Sequence, residues 1–380
     1  MLIVHNSTRS PLYLDAETGG LLTFNQAKEN IAPRPEDYSN FITHGIFYAS
    51  GPGKYWPIGG KFLIPPRTKW IWHDGQIEYL REQGIESRVT RPSKQRLLEA
   101  IRRYVNVLSG KRIAVELSGG LDATLVFRLL LHAGIEPSLI GFVSDRYEFR
   151  TERSIQRTLA QETSCCELLH EADHSLFSNL GKIPPHPIPS PSSLFHERHS
   201  RIAIAARQFR ADIVLTGLGG DSIFIEKIPK LGPFPLNTIS GWTFQDYWSQ
   251  DAIYSVQGIH HYCAYSLREI QRILLTMRAG HPEDRMKLWA RGLFESHLPQ
   301  ELSRYAYKAS HSGMYSEALQ GQSSYIPNIM REVFEATGIQ AFRPRENKDI
   351  LDNWPNVKQQ RQQLFFSNLS FCVWFAAASR

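Results

Sequence analysis

Residues 112–134 read RIAVELSGGLDATLVFRLLLHAG, a buried-strand pattern that runs through Ser-Gly-Gly-Leu-Asp into a helix. The pattern predicts a strand over 112–117 and a helix over 123–133 that stops at Gly134. Glycine costs backbone entropy on folding, so two in succession at a strand end mean a sharp bend or a close approach to something. Their freed N–H groups and the dipole of the following helix form a concavity suited to an anion. Asp122 would repel a phosphate directly, but fits if it holds a Mg²⁺ that bridges to phosphate oxygens. A plain N-cap at a tight βα turn is the alternative for Asp122. The spacing matches neither a Walker loop nor a G-x-G-x-x-G dinucleotide turn.

The same design returns at 211–224, ADIVLTGLGGDSIF: a strand over 212–216, then Gly217, Gly219, Gly220 and Asp221, then a short helix ending before Pro229. In an open parallel sheet both turns lie beyond the carboxyl ends of strands, where ligands bind at the topological switch point. Two such turns would bring two carboxylates to one metal–polyphosphate.

Around these turns the order is βαβα. Strand 138–143 (SLIGFV) leads to a helix over 151–163 and a short β-like CCELLH. The Pro-rich GKIPPHPIPSPSS precedes a helix over 196–209, and the chain beyond 240 reads as mainly helical. This alternation predicts an α/β fold, a parallel sheet with flanking helices. Upstream, Leu97, Leu98, Ile101, Val105 and Leu108 share one helical face, with Ser93 as N-cap and Gly110 as stop. Before it, short β-like pieces (LIVHN, NFITHGIFYAS, KWIWHDGQIEYL) are broken by Gly and Pro clusters. The expected organisation is a small β-rich domain, 1–88, followed by an α/β domain, 89–380, whose last part is helical.

Composition narrows the function. The 380 residues are 42% hydrophobic and 21% charged, as in a soluble globular protein. No run approaches the ~18 apolar residues of a membrane span. MLIVHNSTRSPLYLD lacks the basic and apolar regions of a secretory signal, so cytoplasmic residence is expected. Cys165, Cys166, Cys263 and Cys372 show no C-x-x-C spacing, which speaks against structural zinc or a redox pair and for buried thiols. The net charge of +6 is spread without a basic block, so neither a nucleic-acid substrate nor a membrane partner is expected.

SGGLDAT resembles the Ser-Gly-Gly-x-Asp-Ser pyrophosphate loop of the ATP pyrophosphatases. With TGLGGDSIF downstream, it is similar to the asparagine synthetase-like branch, which includes β-lactam synthetases and lasso-peptide cyclases. The resemblance implies a Rossmann-like fold, ATP and Mg²⁺ as cofactors, and activation of a carboxylate to an acyl-adenylate that an amine converts to an amide. It implies that Ser118, Gly119, Gly120 and Asp122 hold pyrophosphate and metal beside Ala123, and that Asp221 is the second metal carboxylate. Leu117, Val143 and Thr216 would form the adenine slot, with Gly217, Gly219 and Gly220 in the second turn. ESHLPQELSRYAYKASHSGMY resembles the family's LP-x-x-x-R segment with a downstream lysine, making Lys308 the catalytic cation and Arg304 a candidate for phosphate or substrate carboxylate.

The chain departs from that pattern in places. Ala123 replaces the loop's final serine, with Thr124 as a substitute hydroxyl. Leu218 and Ser222 stand where asparagine synthetases carry glutamates, and Leu2 follows Met1 where glutamine-dependent members carry cysteine. The amino-terminal domain therefore reads as a shortened, inactive glutaminase-like relic. The expected activity is an AMP-forming carbon–nitrogen ligase, a macrolactam-forming, lasso-peptide cyclase-like enzyme. Its substrate would be a precursor peptide, made with a protease partner, or a small natural product. The alternatives are an RNA-modifying ATP pyrophosphatase and a degenerate, non-catalytic binding homologue.

Overall fold

Alternating apolar runs build the centre of the molecule. The computed structural model describes residues 2–5, 12–23, 26–27, 31, 33–44, 54–55, 57–64, 68–74, 76–80, 92–170, 176–186, 189–224, 250–251, 253–278, 281, 287–304 and 312–379. Strands β1 (Leu2–His5), β2 (Leu12–Asp15) and β3 (Leu21–Leu22) precede helix α1 (Glu36–His44). Then come β4 (Lys54–Tyr55), β5 (Lys61–Ile64), β6 (Thr68–His73) and β7 (Gln76–Leu80). They form two antiparallel sheets, ordered β1-β6-β7-β4 and β3-β2-β5.

Helix α2 (Lys94–Val107) leads in, and the Ser93 hydroxyl caps it by accepting from the Arg96 N–H. The α/β part continues as β8 (Ile113–Glu116), α3 (Leu121–His132), β9 (Ser138–Val143), α4 (Arg150–Ala160), β10 (Cys166–His170), α5 (His196–Gln208), β11 (Ile213–Thr216) and α6 (Gly220–Phe224). A further strand, β12 (His260–Cys263), pairs parallel to β11, so the region beyond 240 is less uniformly helical than its sequence predicts. HHYC is short, polar and at a sheet edge, and so carries no alternating apolar signal.

All pairings in this five-stranded sheet are parallel, in the order β10-β9-β8-β11-β12. Ile113, Val115, Leu139, Ile213 and Leu215 pack with α2, α3 and α4, while Ala114, Ile140 and Val214 pack with α5 on the opposite face. The period of two along each strand thus buries both faces under helices. The chain winds outward from β8 to β10, returns through α5 to β11, and reverses direction between β8 and β11. That adjacency is the switch point expected from the sequence.

Beyond β12 the described elements are helical: α7 (Arg268–Arg278), α8 (Leu288–Leu293), α9 (Gln300–Arg304), α10 (Ser312–Gly321), α11 (Tyr325–Thr337), α12 (Pro344–Asp352) and α13 (Gln359–Ala378). Phe365, Leu369, Phe371, Val373 and Trp374 of α13 share one apolar core with Ile3, Leu14, Ile64 and Trp70 of the amino-terminal sheets. The Tyr38 hydroxyl donates to Asn368 Oδ1 at 2.8 Å across this junction. Among the described residues, no helix is long and apolar enough to cross a membrane.

Candidate nucleotide site

The first turn is built around Gly119, whose φ of +78° lies in the left-handed region. A Cβ there would come within 2.4 Å of the Glu152 carbonyl oxygen, so the loop lies against the first turn of α4 with no room for a side chain. Gly120 is the N-cap of α3 and has no side-chain cap bond, which places Asp122 inside the helix and excludes the N-cap alternative. Ser118 is exposed, and its hydroxyl accepts from the Gly120 N–H at 3.3 Å. The buried Gln156 holds the strand end below, donating from Nε2 to Leu117 O (2.9 Å) and Phe142 O (2.8 Å).

The second turn presses against the first. A Cβ on Gly217 would meet the Ala123 nitrogen at 2.6 Å, and one on Gly220 would meet Asp122 Cγ at 2.3 Å. Gly219 takes a φ of +86°. The glycines therefore serve contact between the two turns as well as bending. Leu117, Val143 and Thr216 end up buried at or just beyond the carboxyl ends of the neighbouring strands β8, β9 and β11. The Thr124 and Thr216 hydroxyls, buried beside the turns, have no hydrogen-bond partner among the described residues. Ala123 is buried in the body of α3.

Asp122 and Asp221 converge on one cation, Lys287. Its ammonium donates to Asp122 Oδ1 (2.7 Å) and Oδ2 (2.6 Å) and lies 2.7 Å from Asp221 Oδ1. The lysine side chain is 9% exposed, Asp122 18% and Asp221 52%. Burial alone would lower the lysine pKa, but the Asp122 and then the Asp221 charge override it and hold the group above its ordinary value. Aromatic rings wall this ion cluster. The Tyr265 hydroxyl donates to Asp122 O at 2.8 Å, Phe224 stacks edge-on with Tyr265 at 5.2 Å, and the ammonium sits 5.7 Å from the Phe224 ring. Arg278 and Trp289 close the other end of α6 by donating to Ile223 O (3.0 Å) and Phe224 O (3.2 Å).

On the opposite face, Glu116 at the end of β8 faces Arg198 (3.5 Å) and the Tyr254 hydroxyl (3.4 Å). Burial raises the Glu116 pKa against the pull of Arg198. His199 nearby is held well below its ordinary value, first by burial and then by the surrounding cations.

The structure thus brings Ser118, Gly119, Gly120, Asp122, Gly217, Gly219, Gly220 and Asp221 into one place. Lys308 lies outside the described residues. Arg304 ends α9, and its side chain lies outside them too. Lys287 was missed by the sequence reading. One local signal existed: a lysine directly before the apolar LWARGL helix is the wrong charge for a helix N-terminus.

No family model matches the chain, and no curated protein matches it. Among the solved structures that match is the NMN synthetase from Francisella tularensis, 14% identical, with a TM-score of 0.26, covering 57% of this chain and 94% of that one.

Proposed function

We propose that the chain is an ATP- and Mg²⁺-dependent, AMP-forming ligase of the asparagine synthetase-like kind. It would activate a substrate carboxylate and couple it to an amine, with ring closure within a peptide as the favoured case. One observation carries this reading: two Gly–Asp turns on adjacent parallel strands, at the point where strand order reverses, aim two carboxylates at one cation.

The residues fit a metal–pyrophosphate. Magnesium takes one or two carboxylates plus phosphate oxygens, and the ammonium of Lys287 marks where a cation is held between Asp122 and Asp221. Bound there, the ion would offset charge on the phosphates. The backbone N–H groups of the 118–120 turn and the amino end of α3 would bind phosphate oxygens. Leu117, Val143 and Thr216 would flank the base, and Lys308 and Arg304 would supply cationic groups. In the reaction, a substrate carboxylate oxygen attacks the α-phosphorus, the Pα–O bond to the β-phosphate breaks, and pyrophosphate leaves. The amine nitrogen then attacks the acyl carbon, loses a proton and expels AMP.

Nucleotide analysis after incubation with ATP, Mg²⁺ and candidate peptides tests the proposal. AMP and pyrophosphate are expected, and Asp122→Asn and Asp221→Asn should each abolish them. Accumulation of ADP, or a near-normal rate in either variant, would overturn it.

A further inference from the structure

The cation between the two turns belongs to the protein, and it is held at a local cost. Lys287 is a non-glycine residue in the left-handed region (φ 57°, ψ 35°). It is also the N-cap of α8, where a positive charge opposes the helix dipole. Neither feature helps the helix, and both place the ammonium where three of the four carboxylate oxygens of Asp122 and Asp221 contact it. The same segment grips both ends of α6, through Lys287 on Asp221 and Trp289 on Phe224 O, with the Phe224 and Trp289 rings 5.8 Å apart.

We propose that Lys287 is a tethered counter-cation of the dicarboxylate seat, and that its ammonium and a free divalent cation exclude one another between Asp122 and Asp221. Three of the four carboxylate oxygens are already engaged, and two cations sharing them would repel strongly beside a lysine and an Asp122 this buried. Metal alone can enter only by displacing the Lys287 ammonium from the two carboxylates. Metal arriving with a polyphosphate brings the negative charge that a displaced ammonium requires. This rests on the reading of the site as a metal–nucleotide seat, and makes joint loading of metal and nucleotide a property of the protein's own lysine.

The test uses Mn²⁺ alone, without nucleotide or substrate, titrated into the full chain and followed by electron paramagnetic resonance. Lys287→Met should bind Mn²⁺ at least tenfold tighter than wild type. Adding Asp221→Asn should remove that gain, and Lys287→Arg should stay close to wild type. Equal Mn²⁺ affinity in wild type and Lys287→Met, or an arginine variant that gains as much as methionine, overturns the proposal. If Lys287→Met does not fold in metal-free buffer, millimolar Mn²⁺ should restore its cooperative unfolding where K⁺ at equal ionic strength does not. Absence of that rescue also overturns it. Because no ATP is present, the outcome is independent of whether turnover yields AMP or ADP.

Discussion

Gly220→Ala isolates the contact between the two turns. Gly220 is helical, with no positive φ, so an alanine there brings no backbone strain. The added methyl would lie 2.3 Å from Asp122 Cγ, 2.6 Å from Oδ2 and 2.7 Å from Cβ, and the nearest obstacles all belong to that one side chain. Rotation of Asp122 clears Cγ and Oδ2 but not Cβ, so the two turns must also part slightly, and Asp122 releases both of its hydrogen bonds to Lys287. Hydrogen bonds to charged groups contribute about 1.5–3 kcal/mol each. Lys287 keeps Asp221, so the expected loss falls below the sum of about 3–6 kcal/mol, at about 2–4 kcal/mol. Urea denaturation of four proteins decides it: wild type, Gly220→Ala, Asp122→Ala and the double variant. In the Asp122→Ala background Cγ and Oδ2 are gone but Cβ remains, so Gly220→Ala should cost clearly less there without becoming neutral, and the coupling should account for part of the single-variant loss. A loss that persists undiminished in that background would refute the reasoning. Gly60→Ala, with a φ of +75° and nothing within 4 Å, calibrates pure backbone strain at about 1–2 kcal/mol.

Gln156→Leu should cost about 1–3 kcal/mol, because it leaves the carbonyls of Leu117 and Phe142 without their buried donor, and should slow the proposed AMP-forming reaction by loosening the end of β8. Denaturation midpoints and initial rates measure both, and a stable variant with normal rate would remove Gln156 from the support of the loop. His199 is neutral in the fold and takes a proton more readily when unfolded, since its native pKa lies well below 6.5. Its contribution is complete above that value and is lost as pH falls from there through the native pKa. His199→Gln should therefore flatten the stability–pH curve below about 6.5, and an unchanged slope would contradict the assignment.

The strands that carry the site were legible because each reads as an apolar run, two of them leading into a glycine turn. IAVE, SLIGFV and IVLT differ from expectation by a residue or two at most. Helix α3 begins at Leu121 rather than 123, since Gly120 and not Asp122 closes its amino end. That the two aspartates converge also followed from the sequence, through the rule that turns on adjacent strands share an edge. What they converge on did not. Lys287 reaches Asp122 from a segment distant in the chain, and no periodicity relates the two. Tyr265 and Arg278, which brace the turns through Asp122 O and Ile223 O, are likewise products of tertiary packing, as is strand β12 beneath its polar sequence.

The placement of α13 sets an order of events during biosynthesis. Phe365, Leu369, Phe371 and Trp374 complete the core beneath strands that are translated well before them. At about 5–20 residues per second the ribosome needs on the order of tens of seconds to deliver that helix. Throughout that interval the apolar faces of Trp70, Ile64 and Leu14 await their cover. The α/β part, whose two apolar faces are filled largely from residues 97–302, meets its partners earlier. The nascent chain is therefore expected to complete the α/β scaffold of the candidate site before its amino-terminal sheets, and to expose an apolar, holdase-binding surface on those sheets until α13 emerges.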